Sequence, residues 1–398
     1  MKNTLLLFVA IFLGLHAARA VTFQIADPVE FNKIIDTNAV HTTNATIDKW
    51  LEGPVWLPGT NCLIFCDQGN NRLKKVVPPN TVSDFLVPST TVLYNGTMLD
   101  AQERLIAAQA GNAGRRIVMI TNGVVTPLVT NCNGLQFYSP NDVVVKSDGW
   151  IWFTDPGYNS GIVYANPPPT GFPNGYHVYR CNPTNGNTSC VQVITNIGNV
   201  IRPNGLCFSP DETKLYVADS GSAHAIRVYN VSSSNTVSGG VLFATIPVGV
   251  PDGIRCDVDG RVWSSGGDAN MSVTDGVYIF APADGHLIGS IRFYRTANLC
   301  FGGPQYKTLY MTGQPNVTSI PVKVAGIPSV KKLQPSFSSG QLKLSWPAPS
   351  TGFALQETDQ PAAANWTNST ASPSVSNGLN HVSVAPTNTA KFYRLRLN

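Results

Sequence analysis

Six residues with side-chain oxygens recur along the chain at intervals of 43 to 63 residues. We call them the opening residues, because each begins a unit of a repeated pattern: Glu52, Asn95, Asn141, Asn204, Asp252 and Asn298. None of them is a histidine or a cysteine, and oxygen ligands alone suit a hard cation. A single Asn or Asp at a strand start more often bonds the backbone of a turn. Six such residues in the same position of successive units instead favour a ring of metal ligands, and calcium is the first candidate for the metal.

Most of the familiar catalytic patterns are missing from the sequence. It has no G-x-S-x-G elbow, no H-E-x-x-H zinc motif, no Walker loop and no G-x-G-x-x-G that opens a helix. The histidines that follow residue 20 are not spaced as ligand pairs, and we expect them on the surface or in turns: His41, His177, His224, His286 and His381. The candidate chemistry therefore rests on the opening residues.

The opening residues belong to a repeat of about 45 residues. In each unit the polar residue is followed by a short apolar strand, a turn rich in Asp, Gly or Pro, and further strands. The second strands fall at 62–67, 104–109, 150–155, 214–219, 261–266 and 308–313, and the longest interval also holds a Pro/Gly-rich insertion at 159–175. About four strands per unit at this period are typical of a β-propeller, and six units predict six blades. We expect residues 22–48 to supply the outer strand that the sixth unit lacks.

The composition agrees with short strands and excludes several classes of protein. Only 13% of the residues are charged, while there are 35 Gly and 29 Pro, which disfavours a helical bundle or a coiled coil. Hydrophobic residues make up 43%, so disorder is excluded as the main state. The net charge of +4, without a dense Lys/Arg run, argues against nucleic acid or an anionic membrane as the partner.

The amino terminus has the pattern of an export signal. Lys2 precedes an apolar run at 5–15, and Ala18, Arg19 and Ala20 form a small-x-small cleavage site. The run is shorter than the ~20 apolar residues of a spanning helix, which disfavours the alternative of a membrane anchor. We therefore expect residues 1–20 to be a cleaved signal peptide, and the protein to be secreted or periplasmic with no membrane association after cleavage.

Export makes the cysteines informative, since disulfides persist in oxidising compartments. Cys181 and Cys190 flank a turn-rich tip between two strand-like runs, so a disulfide across this hairpin is one alternative. Cys207, Cys256 and Cys300 lie within apolar strands, and we interpret them as small buried hydrophobic residues.

The repeat stops near residue 330, after which the composition shifts to Ser, Thr, Asn and Ala. Residues 335–398 carry their own alternating strands, such as 341–346 and 391–397, which leave one face apolar as a sandwich requires. The predicted fold is therefore all-β. It consists of a six-bladed β-propeller at 21–328 and a small β-sandwich-like module at 335–398.

Several motifs in a fixed order resemble the gluconolactonase/regucalcin family, also called the senescence marker protein family. They are EGPVW at 52–56, PNDVV at 140–144 with WFTDP at 152–156, RPNGL at 202–206 with FSPD at 208–211 and LYVAD at 215–219, PDGI at 251–254 with DGRVW at 259–263, and NLCFGGP at 298–304. The resemblance covers residues 45–325 approximately and does not extend to the C-terminal module.

The resemblance implies a six-bladed propeller with one divalent cation in its channel. The ligands would fall on Glu52, Asn141, Asn204 and Asp252, with calcium first and magnesium, manganese or zinc as alternatives. Asn95 and Asn298 are then candidates to contact the substrate or to support the ligands. Gln109 stands where many bacterial lactonases of this family carry a Glu-His pair, so it is a substrate-binding candidate and the substrate's identity stays open.

Two functions are consistent with these residues. The first is hydrolysis of a lactone, typically a sugar lactone, in which the cation would polarise the carbonyl and Asp252 would be the general base. Asn141 and Asn204 do not titrate near neutral pH and would position the reactants. The second is a catalytically silent propeller that binds a carbohydrate or a protein, with calcium as a strut. We expect a monomer whose partner is a small-molecule lactone.

Overall fold

The structure is a computed structural model of the 398-residue chain. It describes residues 22–158, 161, 168–195, 202–267, 276–292, 295–328, 333–338, 340–347, 353–360, 366–376, 379–385 and 390–397. The predicted signal peptide at 1–20 and much of the insertion at 159–175 lie outside these residues. No helix within the described ranges is long and apolar enough to cross a membrane.

The first part of the chain forms antiparallel sheets in sequence order. Before them come β1 (Thr22–Ile25), α1 (Pro28–Ile34) and β2 (Thr42–Thr46). The first sheet holds β3 (Leu51–Leu57), β4 (Cys62–Asp67), β5 (Arg72–Val77) and β6 (Thr81–Leu86). The second holds β7 (Leu93–Leu99), β8 (Leu105–Ala110), β9 (Arg116–Thr121) and β10 (Val124–Val129). A short hairpin of β11 (Asn131–Cys132) and β12 (Leu135–Gln136) follows.

Four further sheets continue the same order. The third holds β13 (Val143–Val145), β14 (Ile151–Asp155), β15 (His177–Cys181) and β16 (Val191–Ile194), with a 3-10 turn at Gly186–Ser189. The fourth holds β17 (Pro203–Phe208), β18 (Lys214–Asp219), β19 (Ala225–Val231) and β20 (Val237–Thr245). The fifth holds β21 (Ile254–Cys256), β22 (Val262–Ser265), β23 (Gly276–Phe280) and β24 (Leu287–Arg292). The sixth holds β25 (Thr296–Gly302), β26 (Thr308–Gly313) and β27 (Asn316–Pro321).

The residues before the first sheet complete the last two sheets. β2 pairs antiparallel with β27, so residues 22–48 supply the outer strand of the sixth sheet as predicted. β1 pairs with β24 and adds a fifth strand to the fifth sheet, which the sequence pattern did not indicate. The predicted second strands coincide with β4, β8, β14, β18, β22 and β26 to within one residue at every end.

The first strands of the six sheets contact one another in a closed cycle: β3, β7, β13, β17, β21, β25 and again β3. Apolar side chains fill the space between neighbouring sheets. Val55 and Ile64 of the first sheet pack with Tyr94 and Ala107 of the second, for example. Since each sheet buries its faces against its neighbours, the architecture is propeller-type and all-β.

Asp27 caps the N-terminus of the helix α1. The Asp27 carboxylate accepts hydrogen bonds from the backbone N–H groups of Val29 and Glu30 at 3.0 and 3.1 Å, and Pro28 occupies the first turn. Phe31 and Ile34 are fully buried in the core that joins the fifth, sixth and first sheets. The helix therefore stabilises the junction where the last two sheets meet the first.

Two small sheets follow the repeat. One is ordered β28 (Gln334–Ser338), β29 (Gln341–Pro347), β33 (Leu379–Val384) and β32 (Ser374–Ser376). The other is ordered β31 (Thr367–Asn368), β30 (Phe353–Thr358) and β34 (Phe392–Leu397). Leu344, Trp346, Leu355 and Val382 form a separate buried cluster between these strands.

The cysteines are arranged differently from the hairpin alternative. All eight are buried free thiols in the structure, Cys181 and Cys190 among them. The thiol of Cys190 instead shares a hydrogen bond with that of Cys132, which the extra hairpin β11–β12 brings against it. The signal that could have indicated this hairpin is its two-residue turn, Asn133 and Gly134, which both have positive φ.

Candidate metal centre

All six opening residues lie at the beginning of a first strand. Four lie inside the strand: Glu52 in β3, Asn95 in β7, Asn204 in β17 and Asn298 in β25. The other two, Asn141 and Asp252, lie two residues before β13 and β21. The register of pairing with the second strand shifts at the four that lie inside strands. Such bulges turn a side chain out of the regular alternation of the sheet, which directs these residues toward one end of the ring of first strands.

Glycines after the opening residues let neighbouring sheets approach closely. Gly53 has φ +46, and a Cβ there would lie 1.8 Å from the carbonyl oxygen of Asn95. A Cβ at Gly205 would lie 2.1 Å from the carbonyl oxygen of Asp252. Any larger residue would therefore push an opening residue of the next sheet away.

Hydrogen bonds between adjacent sheets fix the same backbone segments. The hydroxyl of Thr97 in the second sheet donates to Gly53 O in the first at 2.6 Å. The hydroxyl of Thr154 in the third sheet donates to Asn204 O in the fourth at 2.6 Å. Gly96 N donates to Asn141 O at 2.7 Å. These contacts make the positions of the opening residues depend on one another.

Glu52 is buried, with 3% of its surface exposed, and is held by three donors. Its Oε1 accepts from the Trp50 indole at 3.0 Å, and its Oε2 accepts from Asn298 Nδ2 at 3.4 Å and from Gly53 N at 3.3 Å. Burial, aided by the negative charge of Asp142, raises the pKa of Glu52 to about 7 against the opposing effect of these hydrogen bonds.

Two of the amides present an oxygen that has no donor. Asn95 and Asn204 are each 5% exposed. Within the described ranges their Oδ1 atoms are buried and make no hydrogen bond to the protein. A buried polar atom without a partner carries a free-energy cost unless something else satisfies it. An oxygen in this condition is the electron-pair donor that a hard cation requires.

Asp252 is partly exposed and accepts a hydrogen bond from the side chain of Asn204. Its pKa lies well above the ordinary range for an aspartate, first because of burial and then because of the negative charges of Glu52 and Asp142. The hydrogen bond from Asn204 opposes this shift. A positive charge that binds beside these carboxylates would lower the repulsion between them.

Asp142 is a third carboxylate beside the opening residues, and the sequence analysis missed it. It is fully buried, and its Oδ2 lies 3.1 Å from Nη1 of Arg255, which comes from the fifth sheet. If Glu52, Asp142 and Asp252 are all ionised, Arg255 balances one charge and two negative charges remain. That charge matches a divalent cation.

The donor set therefore fits a hard divalent cation. It combines two carboxylates with amide oxygens, two of which lack other partners. Across the described part of the chain, no three His, Cys, Asp or Glu side chains are grouped to hold a metal. A site without thiolate or imidazole donors favours calcium over zinc.

The remaining predicted site residues differ in their surroundings. Asn141 and Asn298 are buried at 6% and 2% exposure, and Asn298 contacts Glu52 directly. Gln109 is also buried, but both ends of its amide are engaged within the second sheet. Its Nε2 donates to Tyr94 OH at 2.9 Å and its Oε1 accepts from Arg116 Nε at 2.6 Å. Its role in substrate binding stays a prediction.

One histidine expectation was wrong. His177 lies in the buried strand β15 rather than at the surface or in a turn, and only 3% of it is exposed. It packs edge-on against Tyr179, with ring centroids 5.8 Å apart, and burial lowers its pKa to about 4. His224 does lie in a turn, with φ +43. His286 is exposed and lies between Asp27 and Asp284.

Relatives of known name share much of the chain. A gluconolactonase of Zymomonas mobilis is 30% identical over 319 residues, which is 74% of this chain and 84% of the relative. A pentonolactonase of Haloferax volcanii is 25% identical over 265 residues, which cover 66% of this chain and 80% of the relative. The solved structure of a Xanthomonas campestris gluconolactonase superposes with a TM-score of 0.65 at 29% identity, covering 75% of this chain and 94% of that one.

The family assignment rests on the region that carries the opening residues. Residues 50–314 match the family described as SMP-30/Gluconolactonase/LRE-like region. This match begins just before Glu52 and ends beyond Asn298, so it spans all six opening residues. The chain belongs to the SMP-30/gluconolactonase family.

Proposed function

We propose that this protein is a hydrolase that opens a lactone ring with the help of one divalent cation, and that sugar lactones are its substrates. The observation that carries the proposal is the buried, unpartnered amide oxygen of Asn204, whose side chain also donates a hydrogen bond to Asp252, a carboxylate that feels the negative charge of Glu52. The names of the relatives, gluconolactonase and pentonolactonase, support the reaction class.

Glu52, Asn141, Asn204 and Asp252 would hold the cation, with calcium first and magnesium or manganese as alternatives. When bound, the cation supplies Lewis-acid polarisation of the lactone carbonyl and makes water more acidic. The first contribution of the chain's own residues to cation binding is negative charge. Two carboxylates in excess of Arg255 attract and retain a divalent cation without histidine or cysteine.

Asp252 is the proposed general base. As a ligand of the cation Asp252 would keep a low pKa and be a weak base, so the cation must also acidify the water whose proton it accepts. The hydrogen bond from Asn204 orients its carboxylate. In the reaction a water oxygen bonds to the carbonyl carbon while Asp252 accepts the water's proton. The ring C–O bond then breaks, and Asp252 returns the proton to the departing ring oxygen, which gives a hydroxy acid.

Asn95 and Asn298 would contact the substrate beside this carboxylate. Asn95 contributes a buried Oδ1 without a donor, which can accept from a sugar hydroxyl. Asn298 keeps Glu52 in place through its Nδ2. Gln109 would act indirectly, because Tyr94 and Arg116 already occupy its amide.

The closed cycle of first strands supports a six-bladed propeller at 21–328. The separate buried cluster of Leu344, Trp346, Leu355 and Val382 supports an independent sandwich-like module at 335–398. We propose in addition that residues 1–20 are a signal peptide and that the mature protein is a secreted or periplasmic monomer.

The direct test is proton release from glucono- and galactono-lactones, followed in a pH-stat against the spontaneous rate. We expect opening above the spontaneous rate with calcium present and a loss of that excess in a chelator. If no lactone is opened faster than in buffer, while calcium still binds and stabilises the protein, the hydrolase proposal fails. The molecule would then be a calcium-stabilised binding propeller.

A further inference from the structure

Two buried thiols meet where the fourth and fifth sheets contact each other. Cys207 lies in β17 and Cys256 in β21, and their Sγ atoms are 3.6 Å apart. The cysteines are 4% and 3% exposed. Their strands touch closely, since Gly205 N donates to Asp252 O at 3.1 Å just before the two cysteines.

We propose that Cys207 and Cys256 are an oxidation site, at which a disulfide staples the fourth sheet to the fifth. A disulfide needs its sulfurs at ~2.05 Å, so the thiols must close by roughly 1.5 Å. Rotation about the Cα–Cβ bonds of two adjacent side chains supplies a movement of this size. Each cysteine by itself lies in an apolar strand and was interpreted as a small buried hydrophobic residue. Their proximity depends on the contact between two sheets, so it could not be predicted from the sequence.

The oxidant is a disulfide of a small thiol or of a thiol oxidase. The thiolate of one cysteine attacks that disulfide, which forms a mixed disulfide and releases one thiol. The second cysteine then displaces the remaining thiol, so two protons and two electrons pass from the protein to the donor. Burial raises the pKa of Cys256 well above its usual range. The folded protein is therefore slow to react, and the bond forms while the strands are still assembling.

A disulfide at this position would affect both the unfolded chain and the candidate metal centre. It would close a loop across 49 residues and so restrict the unfolded chain. It would also join the two strands whose beginnings carry Asn204 and Asp252, which are hydrogen-bonded to each other. Cys300 lines the same cavity of about 130 Å³ as Cys207 and Cys256, and it provides a matched control.

The first experiment identifies the bond in the full chain. The protein is reduced, unfolded, refolded in a glutathione redox buffer, alkylated under denaturing conditions and digested for mass spectrometry. We expect a linked peptide pair containing Cys207 and Cys256, about 2 Da lighter than the two thiol peptides together. Recovery of both cysteines as alkylated thiols from folded protein would overturn the proposal.

The second experiment compares thermal unfolding with and without reductant. We expect reduction to lower the Tm of the wild type by ~5 °C or more. Cys207→Ser should remove this difference, while Cys300→Ser should keep it. A reductant effect of equal size in Cys207→Ser would assign the bond to another pair, such as Cys132 with Cys190, and reject the proposal. Neither experiment measures lactone hydrolysis, so its result is independent of the proposed function.

Discussion

Nη1 of Arg255 lies 3.1 Å from Oδ2 of Asp142, so a buried ion pair joins the fifth sheet to the third beside the opening residues. Only 8% of Arg255 is exposed, and Asp142 is fully buried. The remaining lone pairs of Asp142 accept from Val143 N at 2.9 Å and Leu206 N at 3.4 Å. The pair therefore leaves Glu52 and Asp252 as the carboxylates available to a cation.

Arg255→Met should destabilise the protein strongly, because it leaves the Asp142 charge buried without a partner. The expected loss in free energy of unfolding is about 3–5 kcal/mol, measured by urea denaturation with cation present. The double variant Asp142→Asn with Arg255→Met removes both charges and should recover much of the loss. Equal instability of the single and double variants would show that packing of the Arg255 stem matters rather than charge.

The second prediction concerns the pH dependence of cation affinity. Protons and the cation compete for Glu52, whose pKa is raised to about 7. Affinity should therefore rise with pH through 7, and proton loss from Asp252, whose pKa is also raised, should steepen and extend the rise. Calorimetry from acid to neutral pH would measure this slope. Glu52→Gln should bind more weakly throughout and show a flatter slope, and an unchanged slope would mean that Glu52 is not the titrating ligand.

The repeat and the opening residues were predictable from the sequence because short apolar strands and turns recur at one period. The register of each first strand then placed equivalent residues at equivalent positions. Asp142 was not predictable, because a carboxylate next to Asn141 in a turn sequence is normally solvated. Its burial depends on Arg255, which is 113 residues away. Charge pairs between distant strands leave no local pattern.

The structure of the N-terminal segment was also only partly predictable from the sequence. Its outer strand β2 was predictable, since the sixth unit lacked one. The strand β1 and the helix α1 were not, because neither belongs to the repeat. Their positions depend on packing, above all on Phe31 and Ile34 in the core between the first and last sheets.

The third prediction concerns the C-terminal module. Deleting residues 330–398 should leave a cooperatively folding protein that still binds the cation, since each propeller sheet packs mainly on its neighbours. Thermal unfolding by circular dichroism and calcium calorimetry would test this. Loss of the cooperative transition would mean that the cluster around Leu344 and Trp346 belongs to the same folding unit.

Two substitutions should separate the two roles of Asp252. Asp252→Asn keeps an oxygen donor but removes the charge and the basic lone pair, so turnover at saturating cation should fall by ~10²-fold or more. Glu52→Gln removes one charge from the same site without touching the proposed base, so its turnover should fall less. The comparison is kcat for both variants at cation concentrations well above their measured Kd. Equal losses would reject Asp252 as the general base.

The most direct measurement is the initial rate of glucono-lactone opening as calcium is added back to chelated protein. We predict a rate that rises from the spontaneous value and saturates, with half-saturation at the Kd found by calorimetry and a stoichiometry of one. That agreement would tie the reaction to the site formed by Glu52, Asn141, Asn204 and Asp252. A rate that equals spontaneous opening at every calcium concentration, with the cation bound, would contradict a cation-dependent lactonase.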